Sequence, residues 1–416
     1  MANPYGALFE APGSVAFSVA GFVARMPLSM AGIGIITMLS QMRGEYGLAG
    51  AVSATFTLSM ALCGPQISRL VDRRGQGRVL LPATGAGVIA MGALLLCARY
   101  DAPLWTLFAC AVVAGTMPNM AAMVRARWTH AYRGSDRLHT AYSLESVVDE
   151  LTFVVGPALS VALSTALFPE AGPLVAAVLL TLGVLLLVPQ KRTEPPVIQP
   201  PTDGARSGSA LRGGPLLPLA LTLVAGGTIV GTVDVVSVAF AEEQGSPASA
   251  GIVLSAYAVG SAGAGLVFGS LRLTTPLPRL LLLSTAGTAL TTLPLLLVGN
   301  IATLSAAVFL SGLFFAPTMI VVMGLVEKTV PPAVLTEGMT WAITGLSVGV
   351  ALGASVSGAV VDRFGPFGGF TVAIAAGGAT VILALIAQRP LDRRLRRLSE
   401  APVGRPADTG HTKSAL

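Results

Sequence analysis

Long apolar runs, separated by short polar breaks, dominate the chain from near its start to about residue 388. A helix of about 20 apolar residues crosses the roughly 30 Å hydrocarbon core of a bilayer, and run after run reaches that length. The pattern predicts twelve membrane helices, at 14–39, 48–69, 79–98, 104–126, 139–164, 171–189, 215–240, 248–271, 279–298, 302–326, 334–361 and 366–388. Between the sixth and seventh lies "QKRTEPPVIQPPTDGARSGSALRGG", residues 190–214, too polar and too rich in Pro, Gly and Ser to be buried; it reads as a flexible linker. The organisation expected is a six-helix bundle over 1–189, the linker, a second six-helix bundle over 215–388, and a basic tail over 389–416. The fold class is therefore all-α, polytopic and membrane-embedded.

Composition sharpens this picture. Charged residues make up 11% of the chain, against about 25% in a soluble globular protein, and mean hydropathy is +0.76. The 26 Lys and Arg residues outnumber the 20 acids, but their placement explains the surplus. With the N-terminus in the cytoplasm, only Arg43, Arg99 and Arg363 fall outside and Arg25 falls within a span; all the others lie in inside loops, linker or tail, as the positive-inside rule requires. Both termini and the linker are thus expected to be cytoplasmic, in a multi-pass protein of the cell (inner) membrane. A nucleic-acid partner is not expected, and "RPLDRRLRRLSE" in the tail reads as an anchor on anionic lipid. Residues 1–13 carry no Lys or Arg and the first apolar run is long enough to remain a helix, so no removable leader is expected. Trp105 and Trp128 bracket the fourth span roughly 34 Å apart along a helix, a spacing suited to two aromatic belts.

Several chemistries are excluded. None of Lys191, Lys328 and Lys413 follows a glycine, so there is no phosphate-binding loop. Cys63, Cys97 and Cys110 have no ligand spacing and read as small apolar residues. "GLSVG" at 345–349 imitates a nucleophile elbow, but it lies mid-helix and Ser347 has no histidine at membrane depth. Gly345, Gly349, Gly353 and Ser357 recur every four residues and instead form a small-residue face for close helix packing. Neither an enzyme nor a cofactor or metal is expected.

Charge inside a span is costly and therefore informative. The ionisable residues deep in spans are Arg25, Glu145, Asp149, Glu150 and Asp234. Glu145 and Asp149 are four apart and share a helix face, whereas Glu150 is turned about 100° away. Arg25 and Asp149 fall at similar depths, so a pair between them is expected. Such a pair serves either as a fixed tie between the first and fifth helices or as a proton site whose carboxylate alternates between ionised and neutral. The second use is the expectation carried forward, with Glu145, Glu150 and Asp234 as further proton-coupling candidates. Asp234 has no obvious basic partner and suits either a proton or a cationic substrate. Polar side chains are scarce within the spans: Asn119 is the lone Asn, and Met117, Met120, Met123, Tyr142, Phe153, Tyr257, Met319 and Trp341 are better represented. A substrate cavity drawn from Asn119, Met123, Tyr142, Phe153, Asp234, Tyr257, Met319 and Trp341 suits an apolar or amphipathic compound rather than a polyol, whose hydroxyls need matching partners.

The loop "SRLVDRRGQGRVL", 68–80, resembles the signature loop of the major facilitator superfamily. Ser68 stands where glycine is usual, and Gln76-Gly77 interrupts the basic pair that normally follows Gly75. A second Asp-Arg-x-Gly occurs in "GAVVDRFG", 358–365, and both loops join the second and third helices of a three-helix unit, as inverted repeats imply. "FVVGP", 153–157, is similar to the antiporter motif of exporting branches through Gly156 and Pro157, although Ala158-Leu159-Ser160 replaces its later glycines; a plain kink is the alternative. The resemblance implies that Ser68, Asp72, Arg73, Gly75 and Arg78 belong to a gating loop on the cytoplasmic side. It also implies that helices 1, 5 and 7 line a central cavity and 3, 6, 9 and 12 face lipid; the charged positions above respect that division. The resulting expectation is a monomeric, drug/proton antiporter-like secondary transporter, exporting small lipophilic or cationic compounds by alternating access, with protons and the lipid bilayer as its other partners. A sugar or metabolite permease on the same fold and a non-transporting membrane sensor are the alternatives.

Overall fold

The structure is a computed structural model that describes residues 6–133, 135, 137–197, 216–270, 275–330 and 335–400; within its helices the side chains at 139, 142, 143, 146, 150, 269, 270, 335–337 and 396–400 lie outside the description. It contains fourteen α-helices and, among the described residues, no strand. The first half comprises α1 (Ser14–Arg25), α2 (Pro27–Arg43), α3 (Tyr46–Arg74), α4 (Gln76–Arg99), α5 (Leu104–Ala114), α6 (Met120–Ala131), α7 (Arg137–Ala166) and α8 (Ala171–Leu187). The second comprises α9 (Leu216–Glu243), α10 (Ser249–Ser270), α11 (Leu277–Thr292), α12 (Ile301–Gly312), α13 (Phe315–Thr329) and α14 (Leu335–Glu400).

Among the described residues, nine segments are long and apolar enough to cross a membrane, and α5 and α8 are shorter apolar helices. One segment, Gly338–Leu395, has 58 residues, about 87 Å of helix and far more than one crossing needs. It breaks at Gly365, whose φ of 70° and ψ of −178° are non-helical, so α14 is two arms joined at a corner. Its second arm runs through Pro390 to Glu400, past the boundary expected at 388/389.

Three spans expected to be continuous are broken. Pro27 lacks the N–H that would continue α1, and the first span divides there into α1 and α2. The fourth divides at 115–119, where Pro118 precedes Asn119 and the Asn119 side chain caps α6 by accepting from the Ala122 N–H at 3.1 Å. The tenth divides at Leu313-Phe314 into α12 and α13. Apolar runs conceal these breaks because hydropathy is unchanged across them.

In the second half, α9 and the first arm of α14 lie backbone to backbone. Gly227 and Gly231 of α9 face the Leu346 and Val350 carbonyls, while Gly345, Gly349 and Gly353 of α14 face those of Ala220, Val224 and Thr228. A β-carbon at any of these five positions would overlap a carbonyl, which is fixed by its own helix and cannot turn aside. Gly349→Val is expected to remove monodisperse protein or lower its unfolding temperature in detergent by at least the about 1–3 kcal/mol typical of overpacking, with Gly349→Ser milder. The halves meet mainly where α3 packs on α14 and α7 on α10, with a smaller contact of α2 on α9.

Both major seams are tightest near the loops at 44–45, 244–248 and 365. Gly50 lies against the Ala354 carbonyl and Gly358 against that of Tyr46. On the other seam, the Ser255 hydroxyl of α10 donates to the Val154 carbonyl at 2.5 Å, and a β-carbon on Gly251 would come within 2.6 Å of the Ala158 Cα. The pathway between the halves is closed at this end.

Candidate functional site

Two chambers of about 450 and 420 Å³ run between the halves. They share Leu28, Phe56, Met60, Phe153 and Ser347 on their walls, so they adjoin one another. The outer chamber reaches Arg25, Ser68 and Asn119, beside the signature loop. The inner chamber ends at Asp234, Tyr257 and Ser261, behind the closed end. Phe56, Phe153, Phe315 and Tyr257 supply aromatic surface. Two of the wall hydroxyls are already committed: Ser29 donates to the Thr152 carbonyl at 2.8 Å and Ser53 to that of Gly32 at 3.0 Å.

Beside the outer chamber lies a four-charge network built from α1, α6 and α7. Arg25, buried at the α1 terminus, donates through Nη2 to Glu145 and through Nη1 to Asp149 Oδ1 at 2.8 Å. The second Asp149 oxygen accepts from Arg125 of α6. The second Glu145 oxygen accepts from Trp128 Nε1 at 2.9 Å. Two guanidinium groups and two carboxylates therefore neutralise one another. Burial divides the acids: the Glu145 side chain is 2% exposed and that of Asp149 is 23% exposed. Asp149 is the acid that water can reach, and Arg125, 40% exposed, is its solvent-side partner. A carboxylate held between two cations, one buried and one wet, can lose one partner without being stranded.

The sequence identified Arg25, Glu145 and Asp149, and the structure brings those three together. It did not identify Arg125 or Trp128. Both sit on α6 three residues apart, on the same helix face, and that spacing is the signal that could have found them. Trp128 was expected at a membrane boundary; instead it is fully buried, with the rings of Phe17 at 4.6 Å and Tyr132 at 5.9 Å around it. The break before Asn119 turns α6 inward, which is why spacing along one straight helix misplaced it. Glu150 and Tyr142 lie outside the described residues.

Of the remaining expected cavity residues, Asn119, Phe153, Asp234 and Tyr257 line the chambers. Met123 does not: it is buried in the core of the first half. Met319 packs against the core of the second half, and Trp341 is 41% exposed and lines neither chamber, although its neighbours Thr340, Ile343 and Thr344 line the outer one. All three were placed by residue type, and a flexible or aromatic side chain fills a core as readily as it lines a cavity. Asp234 makes no ion pair or hydrogen bond with any described residue. Gly156 and Pro157 sit on α7 between Val154 and Ala158, two residues that meet α10; Gly156 leaves room for Ser29, and Pro157 lines the inner chamber. Among the described residues no group of three or more His, Cys, Asp or Glu side chains is placed to hold a metal ion.

In the signature loop, Ser68 borders the outer chamber, while Asp72, Arg73 and Arg78 are exposed. Gly75 ends α3 with φ 86°, a left-handed conformation suited to glycine. The residues that depart from the usual pattern anchor the loop. Gln76 donates to the Met123 carbonyl at 3.0 Å and accepts from Arg127 Nε at 2.8 Å. Arg127 also donates to the Leu187 and Gln190 carbonyls at 3.2 and 3.1 Å and to Thr193 Oγ1 at 2.7 Å. Burial pushes the Arg127 guanidinium down to about 10, which leaves it cationic at neutral pH. Gly77 N–H donates to Glu194 Oε1 at 2.8 Å, so an acid from the start of the linker caps α4.

A family model for the Major Facilitator Superfamily matches residues 17–241 and 219–413. Among solved structures, the chain is similar to a peptide transporter POT in complex with sulfate, at 16% identity and TM-score 0.74, over 95% of this chain and 99% of that one. It is similar to a mutant of the nucleoside transporter NupG at 15% identity and TM-score 0.72, over 90% and 99%. A POT family transporter in complex with 5-aminolevulinic acid matches at 11% identity and TM-score 0.71, over 92% and 96%. No curated protein matches the chain in sequence.

Proposed function

The chain belongs to the major facilitator superfamily, a transporter rather than an enzyme, and from that premise we propose that it is a proton-coupled exporter of small lipophilic cations. The observation that carries this reading is the unpartnered carboxylate of Asp234 at the inner end of an aromatic cavity whose other charges cancel. An acid so placed favours a cation, and the surrounding rings add cation–π attraction of about 0.5–2 kcal/mol for a desolvated ligand. Export is the direction suggested by the similarity of Gly156-Pro157 to the antiporter motif of exporting branches. Protons supply the driving force through Asp149, whose carboxylate accepts from both Arg25 and Arg125 in this conformation.

Full-length protein in liposomes under an imposed pH gradient, tested with ethidium and tetraphenylphosphonium, checks the proposal. Asp234→Asn is expected to weaken binding of these cations about tenfold or more, the factor that loss of one close ion pair supports. Binding of neutral aromatic compounds should change little. Unchanged cation affinity in Asp234→Asn would remove the site.

The second reading is a metabolite permease, favoured by the structural neighbours, which are peptide and nucleoside transporters. The mainly apolar and aromatic chamber walls speak against it. Counterflow of labelled dipeptides, nucleosides and sugars, with no flux of either cation, would select this reading instead.

A further inference from the structure

At the closed end, the first turn of α3 is capped from the other half of the molecule. Glu45 occupies the N-cap position but its side chain makes no capping bond. Asp362 of α14 takes that role, its Oδ1 accepting from the Tyr46 N–H at 2.8 Å and its Oδ2 from the Gly47 N–H at 2.6 Å. These N–H groups have no partner within their own helix, and a carboxylate there also meets the positive end of the helix dipole. Glu242, near the end of α9, completes the clasp by accepting from the Tyr46 hydroxyl and from Ser40 Oγ, the latter at 3.2 Å. The clasp thus joins α2 and α3 of one half to α9 and α14 of the other. Gly47 and Gly358 allow the approach, since a β-carbon on Gly47 would fall 2.7 Å from Asp362 Oδ2.

Asp362 opens the second Asp-Arg-x-Gly sequence of the chain, and Asp72 opens the first. The two loops occupy corresponding places in their three-helix units at opposite ends of the molecule. Their states are opposite: Asp362 makes two charge-assisted hydrogen bonds across the halves, while Asp72 is exposed and bonds to no described residue.

We propose that Asp362 is a latch reciprocal to Asp72, holding its own end of the pathway closed while the signature-loop end is open. It positions the halves and touches no substrate. The proposal rests on the halves alternating, as transport requires, but on neither the identity of the substrate nor the use of protons.

The test is a distance measurement that needs no transport. Full-length protein, with Cys63, Cys97 and Cys110 replaced by serine, is placed in lipid nanodiscs with spin labels at Gly44→Cys and Phe364→Cys, on the two lips of the clasp. The wild type is expected to show mainly the short distance. Asp362→Ala, which removes both acceptors, should raise the separated population relative to the closed one by about tenfold, a factor within the range for charge-assisted hydrogen bonds. Asp362→Asn keeps one acceptor and should fall between, and Asp362→Glu should return towards wild type. Tyr46→Phe, which removes one of the two bonds to Glu242 and none to Asp362, should open the lips less than Asp362→Ala. Asp72→Ala combined with Asp362→Ala should recover part of the short-distance population, because neither end is then latched. If Asp362→Ala does not yield monodisperse protein, Asn opening further than Glu carries the same conclusion. A short distance kept in every Asp362 variant overturns the latch. So does equal opening in Asn, Glu and Ala, which would mark general loosening. Loss of ethidium transport with these distances unchanged counts against the exporter reading and leaves the latch standing.

Discussion

Arg25→Ala is expected to be the most damaging single change to stability. The substitution leaves Glu145, almost wholly buried, facing Asp149 with no cation between them. Breaking one side of a buried ion pair costs about 3–5 kcal/mol, most of it from the charge left behind rather than from the attraction lost. Trp128 would still donate to Glu145 and Arg125 to Asp149, so the site would be strained but not emptied of donors. Thermal unfolding in detergent should show a large drop for Arg25→Ala and a smaller one for Arg25→Lys, whose single ammonium cannot span both acids as a planar fork does. Adding Glu145→Gln to Arg25→Ala should recover part of the loss. If the double variant is no more stable than the single, the penalty does not come from the stranded acid, and this account of the network fails.

Asp149→Asn is expected to give the largest change in function with little change in stability. Its neighbours tolerate the loss of charge: Arg25 keeps Glu145, and Arg125 is exposed enough to be taken up by water. If Asp149 carries the proton, accumulation driven by a pH gradient should stop, while ligand binding and gradient-free exchange persist. The decisive measurement is proton release on adding tetraphenylphosphonium to detergent-solubilised protein at controlled pH. A variant that releases as many protons as wild type excludes Asp149, and Glu145, Glu150 and Asp234 are then the candidates. The route from this site to the rest of the molecule is short. Asp149 and Val154 are on one helix, about 8 Å apart along its axis, and the Val154 carbonyl accepts the hydrogen bond from α10. A shift of α7 at the charge network is therefore felt at the seam between the halves.

Among the described residues the expected spans fall mainly on helix, three of them broken within, because a bilayer demands long apolar runs and such runs are plain in a sequence. The charge network was partly legible for the same reason: Arg25, Glu145 and Asp149 stand out against an apolar background. Arg125 did not, because it lies at the end of an expected span, where charge is ordinary. Only the break between α5 and α6 turns it and Trp128 inward, and that break depends on Pro118 and an Asn119 cap rather than on hydropathy. Met123, Met319 and Trp341 were misplaced because residue type does not say which side of a helix faces a cavity. The roles of Gln76 and Gly77 were equally hidden, since their partners Arg127 and Glu194 are over 45 residues away in sequence.

The glycines between α9 and the first arm of α14 bear on how such a protein could change over generations. Where a side chain packs against a side chain, a second substitution can make room for the first. Here each glycine faces a main-chain carbonyl, which every amino acid carries, so no exchange on the opposite helix relieves the overlap. Drift along this seam is closed off in both directions, and the relative register of the two helices is inherited as a unit. New substrate preferences must then arise elsewhere on the cavity wall, at positions such as Phe56, Phe153 and Tyr257 whose neighbours can still adjust.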